Sequence, residues 1–185
     1  AAGLTIDIKL LQHLAEALGV SDEDWLTLLT NHAIIEREGE EWQITHERLR
    51  LVALEQVAAD DLVQLNTTVA EALEYLYPDS VQKAGMIAHH WNLAGNDERE
   101  RPYLLDAADY ALRLNSFQDA VGLYRRALEL RDDAASDERM AAQLQIRLGE
   151  SLMYIGEYDE ALERLEAGLK AFDAEDKNER AKTLS

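Results

Sequence analysis

A chain of 185 residues, 47% hydrophobic and 30% charged, has room for one domain or two small ones and has the composition of a globular protein, not a disordered one. Its 37 acidic and 18 basic side chains leave a net charge of −19, and its lack of cysteine excludes disulfides and thiolate metal sites and fits a reducing compartment. Residues 1–60 hold 12 acids and 4 bases and residues 61–185 hold 25 and 14, so neither half offers the Lys and Arg that neutralise nucleic-acid phosphates or anionic membranes. No apolar run approaches the ~20 residues that span a bilayer. No basic region followed by an apolar core marks a signal peptide, so the expected location is the cytoplasm. The chain begins without Met and ends in a helix-like run, Asn178–Leu184, which reads as a piece of a longer protein.

Taken in order, Asp7 to Leu18 places Ile8, Leu11, Leu14 and Leu18 at helical spacing, and Gly19 can end that helix. Ser21 then caps a second helix whose first turn, Asp22-Glu23-Asp24, faces the positive end of the helix dipole. Trp25, Leu28, Leu29 and His32 form its inner stripe. Ile34 to Arg37, a turn bearing Gly39, and Trp42 to Ile44 read as strand, turn and strand. Thr45 is placed to cap a third helix carrying Leu49, Val52, Ala53 and Val57.

That order, together with Leu10-Leu11, Leu18-Gly19-Val20-Ser21, Ile34-Ile35 and Trp42-Gln43-Ile44-Thr45-His46-Glu47-Arg48-Leu49, resembles the winged-helix module of signal-transduction ATPases with numerous domains (STAND). In large bacterial regulators of that class the module follows the nucleotide-binding core and leads into helical repeats. His46 matches the His that opens the helix after their wing.

From Asp60 onward the pattern is helical. One stripe (Leu62, Leu65, Val69, Ala72, Leu73, Leu76) ends at Pro78, and the next runs from Val81 to Leu93 and ends at Gly95-Asn96-Asp97. Arg101–Leu114, Phe117–Leu130, Asp137–Tyr154 and Tyr158–Phe172 follow with short connections, which force antiparallel neighbours. The last two pairs repeat. Forty-one positions before Gly149, Tyr158, Ala161, Leu165, Gly168 and Leu169 stand Ala108, Phe117, Ala120, Tyr124, Ala127 and Leu128. Small residues at Gly149, Ala161 and Gly168 suit antiparallel helices that approach to ~8–10 Å. The small–aromatic–Ala–bulky–small register resembles the tetratricopeptide repeat (TPR), a helical hairpin of ~34 residues. The additional residues fall in a polar linker, Arg131 to Asp137. Ala88-His89-His90-Trp91-Asn92-Leu93-Ala94-Gly95 also resembles a run that precedes the repeats of those regulators.

Motifs that carry chemistry are scarce. Gly-x-x-x-x-Gly-Lys-Ser/Thr occurs nowhere, so the chain has no phosphate-binding loop, and no cofactor is implied. His89 and His90 are adjacent, hence ~100° apart on a helix, and cannot chelate one ion as an i, i+4 pair does; no metal site is expected. The acidic runs 22–24, 36–41 and 173–176 are explained by helix capping, an exposed wing and an inter-repeat linker, ahead of paired catalytic carboxylates. A wing bearing Glu38, Glu40 and Glu41 would repel a phosphate backbone, which argues against DNA binding. With no nucleophile–base pair in view, the fragment is expected to have no enzymatic activity.

The expectation is therefore an all-α protein with one small hairpin. A winged-helix-like domain (1–59) would precede a TPR-like right-handed solenoid (60–185), made of a divergent hairpin (61–95) and repeats at 101–133 and 142–175. The TPR resemblance implies a concave face lined by the first helix of each hairpin: Leu105, Asp109, Leu112 and Arg113, then Ile146, Glu150, Met153 and Tyr154. The alternative reading is that several of these are covered by neighbouring helices. Mixed aromatic, aliphatic and charged residues suit a protein or peptide partner, or another domain of the same parent chain. Asp109 and Glu150 stand where carboxylate-clamping relatives need bases, which disfavours acidic peptides. The implied function is non-catalytic interaction and signal relay within a bacterial STAND ATPase or transcription regulator. A free-standing peptide-binding adaptor and the regulatory arm of a cyclase or kinase are the other readings.

Overall fold

The computed structural model describes residues 5–17, 19–32, 34–38, 41–45, 52, 55, 57–130 and 138–183. It is mostly helical with one small antiparallel sheet. By its internal contacts the chain forms two compact units, Ala1–Asp79 with His89–Asn96, and Ser80–Ala88 with Asp97–Ser185.

In the first unit, β1 (Thr5–Ile6) leads into α1 (Ile8–Ala17) and α2 (Asp22–Asn31), followed by β2 (Ile35–Glu38), β3 (Glu41–Ile44) and α3 (Ala59–Leu76). Asp7 Oδ1 accepts the Leu10 N–H at 3.3 Å, and Ser21 Oγ accepts the Asp24 N–H at 3.3 Å, so α1 and α2 each begin on a side-chain cap. The β2–β3 hairpin pairs Ile35 with Ile44 and Glu38 with Glu41. The sequence pattern yields only this hairpin; the structure adds β1 on the free edge of β3, pairing Thr5 with Gln43 and Ile6 with Trp42, in the order β1-β3-β2. Two residues carry too little periodicity to announce a strand. The Thr45 hydroxyl donates to Ile34 O at 2.9 Å and so closes the open end of the hairpin. The helix expected after Thr45, including His46 and Leu49, falls mostly outside the described residues, as does the turn at Gly39-Glu40. The His13 ring stacks on Tyr75 (5.0 Å), and the Tyr77 hydroxyl donates to the Asp7 carboxylate at 2.8 Å, fixing the start of α1 to the end of α3. Burial and this carboxylate push the Tyr77 phenol up to about 12.

α4 (Val81–Leu93) contributes residues to each unit. The second unit continues with α5 (Asp97–Arg113), α6 (Phe117–Glu129), α7 (Glu138–Ile155) and α8 (Tyr158–Thr183). α5 starts four residues earlier than the apolar spacing predicts, because Asp97, Glu98 and Glu100 stabilise a first turn and Pro102 is accommodated within the helix. α8 overruns its expected end at Phe172, so the acids at 173–176 are helical and not a linker. Between 173 and 183 there is neither Gly nor Pro, and Ala, Glu, Lys and Arg sustain a helix. The expected linker at 131–137 lies outside the described residues.

The core of this unit joins Leu104, Ala108 and Ala111 of α5 with Ala120, Val121, Tyr124 and Ala127 of α6 and Leu144, Leu148 and Leu152 of α7. The 41-residue correspondence extends to the backbone of the turns. Asn115 (φ 59°) stands where Gly156 (φ 84°) stands, both in the left-handed conformation that terminates a helix. Ser116 N–H donates to Ala111 O (2.9 Å) as Glu157 N–H donates to Leu152 O (3.1 Å). The small positions are close approaches. A Cβ on Gly149 would lie 2.7 Å from Leu165 Cγ and 3.0 Å from Ala161 O, and one on Gly168 would lie 2.6 Å from Ile146 Cγ1 and 2.9 Å from Ala142 O.

Candidate functional site

α5 and α7 carry the eight residues that sequence reasoning singles out, and the structure sorts them by their surroundings. Leu105 and Leu112 are half-buried and pack on the core. Ile146 is half-buried against Gly168, filling the space a larger residue there would need. These three serve the interior as much as a surface.

Asp109 is the most connected of the set. The hydroxyl of Tyr124, a residue with no exposed surface, donates to Asp109 Oδ1 at 2.5 Å, and Arg147 Nη1 donates to the same oxygen. One carboxylate thereby ties α5, α6 and α7. Burial pushes the Tyr124 phenol up to about 12, and its hydrogen bond to Asp109 adds to this while Arg147 opposes it. The Arg147 guanidinium is held above its ordinary value, first by its hydrogen bond with Tyr124. The Asp109 and Arg147 side chains remain 40% and 47% exposed, so their ion pair contributes only about 0.2–1 kcal/mol and acts mainly by fixing register.

Arg113 is exposed, its guanidinium 5.7 Å from the ring centroid of Tyr110 on the same helix. Glu150, Met153 and Tyr154 are exposed, Met153 by 51% and Tyr154 by 69%. The Tyr154 ring lies flat on Phe117, with centroids 4.3 Å apart and planes 10° from parallel. Phe117 follows the α5–α6 turn and Tyr154 precedes the α7–α8 turn, so this stack sets the two turns side by side. Leu114 and Tyr158, in or next to those turns, are also exposed. The result is an apolar and aromatic edge beside the acidic Glu150.

Sequence reasoning passed over Phe117, Tyr124 and Arg147 as partners of this region. The repeat register carries a signal for two of them, since Phe117 and Tyr124 stand at its aromatic and bulky positions.

The other polar clusters are structural. Arg126 donates to Glu100 through Nε (3.1 Å) and Nη2 (2.8 Å), and to Asp97 at 3.0 Å. Glu100 is 2% exposed, and the hydrogen bonds to it are the first cause that holds Arg126 above its usual range. Glu160 accepts from Arg125 (2.6 Å) and Arg164 (3.3 Å), and the former lowers its carboxyl most.

In the first unit, His90 Nδ1 lies 2.9 Å from Asn66 Oδ1, while Asn66 Nδ2 donates to Leu62 O at 2.7 Å. With the amide nitrogen committed to a carbonyl, the amide oxygen accepts and the proton of neutral His90 sits on Nδ1. Burial, then the neighbouring His89, pushes His90 below its usual value. Trp91, almost fully buried, donates to Glu74 at 2.8 Å. Among the described residues no three His, Asp or Glu side chains come together as a metal site requires. Glu23, Leu26, Thr27, Thr30, Asn31 and Trp42 line an open groove of about 440 Å³ between α2 and β3. No helix among the described residues is long and apolar enough to cross a membrane.

No family model matches the chain, and no curated protein does. A solved structure of BtubC (BKLC) from P. vanneervenii is similar over 70% of this chain and 71% of that one, at 15% identity and a TM-score of 0.33. That likeness is too slight to assign fold or function.

Proposed function

We propose that this chain is a non-catalytic interaction and signal-relay region, built as a winged-helix-like module followed by TPR-like hairpins and belonging to a larger bacterial regulator of the STAND ATPase or transcription-regulator kind. The observation that carries the reading is the edge beside Glu150, where Tyr154 is held in a fixed stack on the half-buried Phe117 while it and Met153 remain exposed. Rigid aromatic residues bind with little loss of side-chain freedom, which suits a protein or peptide partner. The Asp109–Tyr124–Arg147 junction supports relay, because it couples three helices through one carboxylate, and a partner that displaced Arg147 would disturb all three.

A photo-crosslinking residue placed at Met153 tests this in cells of the source organism. A discrete adduct from position 153, absent when the crosslinker replaces the exposed Glu129, is expected. Equal labelling from both positions, or from neither, would overturn the reading.

A further inference from the structure

The run His89-His90-Trp91-Asn92 at the end of α4 has no part in the interaction edge, yet it is tied to α3 by two side-chain bonds within the first unit. Trp91, 1% exposed, donates to Glu74 at 2.8 Å, and His90 Nδ1 donates to Asn66 Oδ1 at 2.9 Å. Asn66 meets His90 only as an acceptor, because its Nδ2 is committed to Leu62 O. The neutral ring therefore already makes its bond to α3. A second proton, on Nε2, adds a charge without adding a bond. Facing the half-buried ring are the exposed His89 of the same helix, with centroids 5.5 Å apart, and the uncharged Asn66 of α3. Of the acids on α3, Glu74 is taken by Trp91, and Asp60, Asp61 and Glu71 are exposed. Burial and His89 act on the titration of His90, and both oppose the charged ring.

We infer that His90 and Asn66, with His89 beside them, form a proton-operated latch: neutral His90 holds the end of α4 on α3, and a second proton on its ring releases that end. The released ring gives its charge to water and moves away from a helix that offers it no counter-ion. Trp91 parts from Glu74 in the same movement, since both side chains ride on one helix. The negative end of the α4 dipole favours the charged ring in the docked and the released helix alike, so it does not oppose release. The sign follows from where the proton binds better. A ring whose charge is disfavoured in the docked state takes its proton more readily when free. The latch is therefore fully closed above the ordinary imidazole range and weakens as pH falls below it.

Hydrogen exchange of the Trp91 indole N–H in the full chain, divided by the intrinsic indole rate at each pH, reads the latch. Between about pH 7.5 and pH 5.5 it is expected to rise about threefold, while the amides of α6 and of Leu73 keep their protection. His90→Asn places an N–H where Nδ1 stands and cannot titrate, and is expected to abolish the rise. Asn66→Asp supplies a carboxylate to the charged ring and is expected to reverse it, so that Trp91 is better protected at the lower pH. The His90 ring signals of the wild-type protein are expected to titrate below the free imidazole value, a readout that needs no variant to fold. Four results would overturn the latch: no rise in the wild-type protein, a rise that survives His90→Asn, an equal loss of protection in α6, or a His90 ring that titrates at or above the free value.

Discussion

The hairpin α5–α6 and the hairpin α7–α8 are two solutions to one packing pattern. In the first, the inter-helix contact is spaced by alanine methyls at Ala108, Ala120 and Ala127, and the bulky position is Tyr124, whose hydroxyl must find a partner. In the second, glycine replaces two of the alanines and Leu165 replaces the tyrosine. The helices have closed on the vacated space until backbone oxygens stand 2.9–3.0 Å from where a Cβ would be. The difference teaches that a small residue at these positions is a spacer whose size the neighbouring backbone has adjusted to. The outer positions differ too: Val121 is buried in the first hairpin and its counterpart Leu162 is exposed in the second, while Leu165 stays packed on Gly149.

Gly168→Val is the largest break in that comparison. The added atoms would meet Ile146 and the Ala142 carbonyl, so the helices must part, with an expected loss of about 3 kcal/mol in urea unfolding. Gly168→Ala decides the sign. Helix propensity alone predicts a gain of about 1 kcal/mol, and the close approach predicts a loss. A more stable Gly168→Ala protein would refute the tight contact.

How much of this was readable beforehand follows from the kind of signal involved. The small–aromatic–small register marked both hairpins because helix periodicity and side-chain size are local properties of the sequence. Gly19 as a stop and Ser21 as a cap were readable for the same reason: each acts on backbone groups within a few residues. β1 was not readable, since two residues gain their identity only from the partner strand. Nor was the extension of α8, because acids at 173–176 signal solvation in a helix and in a linker alike. At the candidate face, residue type could not tell the half-buried Leu105 and Ile146 from the exposed Met153; that distinction depends on which helix comes next.

The second break concerns what joins the helices of the first hairpin. Arg126→Met would remove the guanidinium that meets both oxygens of the buried Glu100 carboxylate, and a loss of about 2–3 kcal/mol is expected from chemical denaturation. Adding Glu100→Leu should restore part of it, because the cost lies in a buried carboxylate that has lost its countercharge. If the single variant is neutral, the pair does not hold the hairpin.

Coverage can be sharpened by truncating the same register position in each hairpin. Val121→Ala removes buried methyls and should cost about 2 kcal/mol, while Leu162→Ala, at a surface position, should stay within about 0.5 kcal/mol. Similar losses at both sites would mean that α8 is covered in solution as α6 is.

The smallest effect tests the polar difference. Tyr124→Phe removes a hydroxyl that Asp109 accepts and should cost about 1 kcal/mol at neutral pH, leaving Asp109 to Arg147 alone. The pH dependence has a definite sign. The folded phenol titrates near 12 and the unfolded one near 10, so its stabilisation is complete below pH 10 and is lost as pH rises towards 12. The wild-type protein should therefore lose stability over that interval more steeply than Tyr124→Phe. Tyr77, raised first by burial and then by Asp7 in the first unit, provides the matching control: Tyr77→Phe should flatten the alkaline loss of that unit and leave α5–α7 unchanged. Leu165, which stands in place of Tyr124 in the second hairpin, offers no such group, so alkaline loosening should appear in amide exchange of α6 before that of α8.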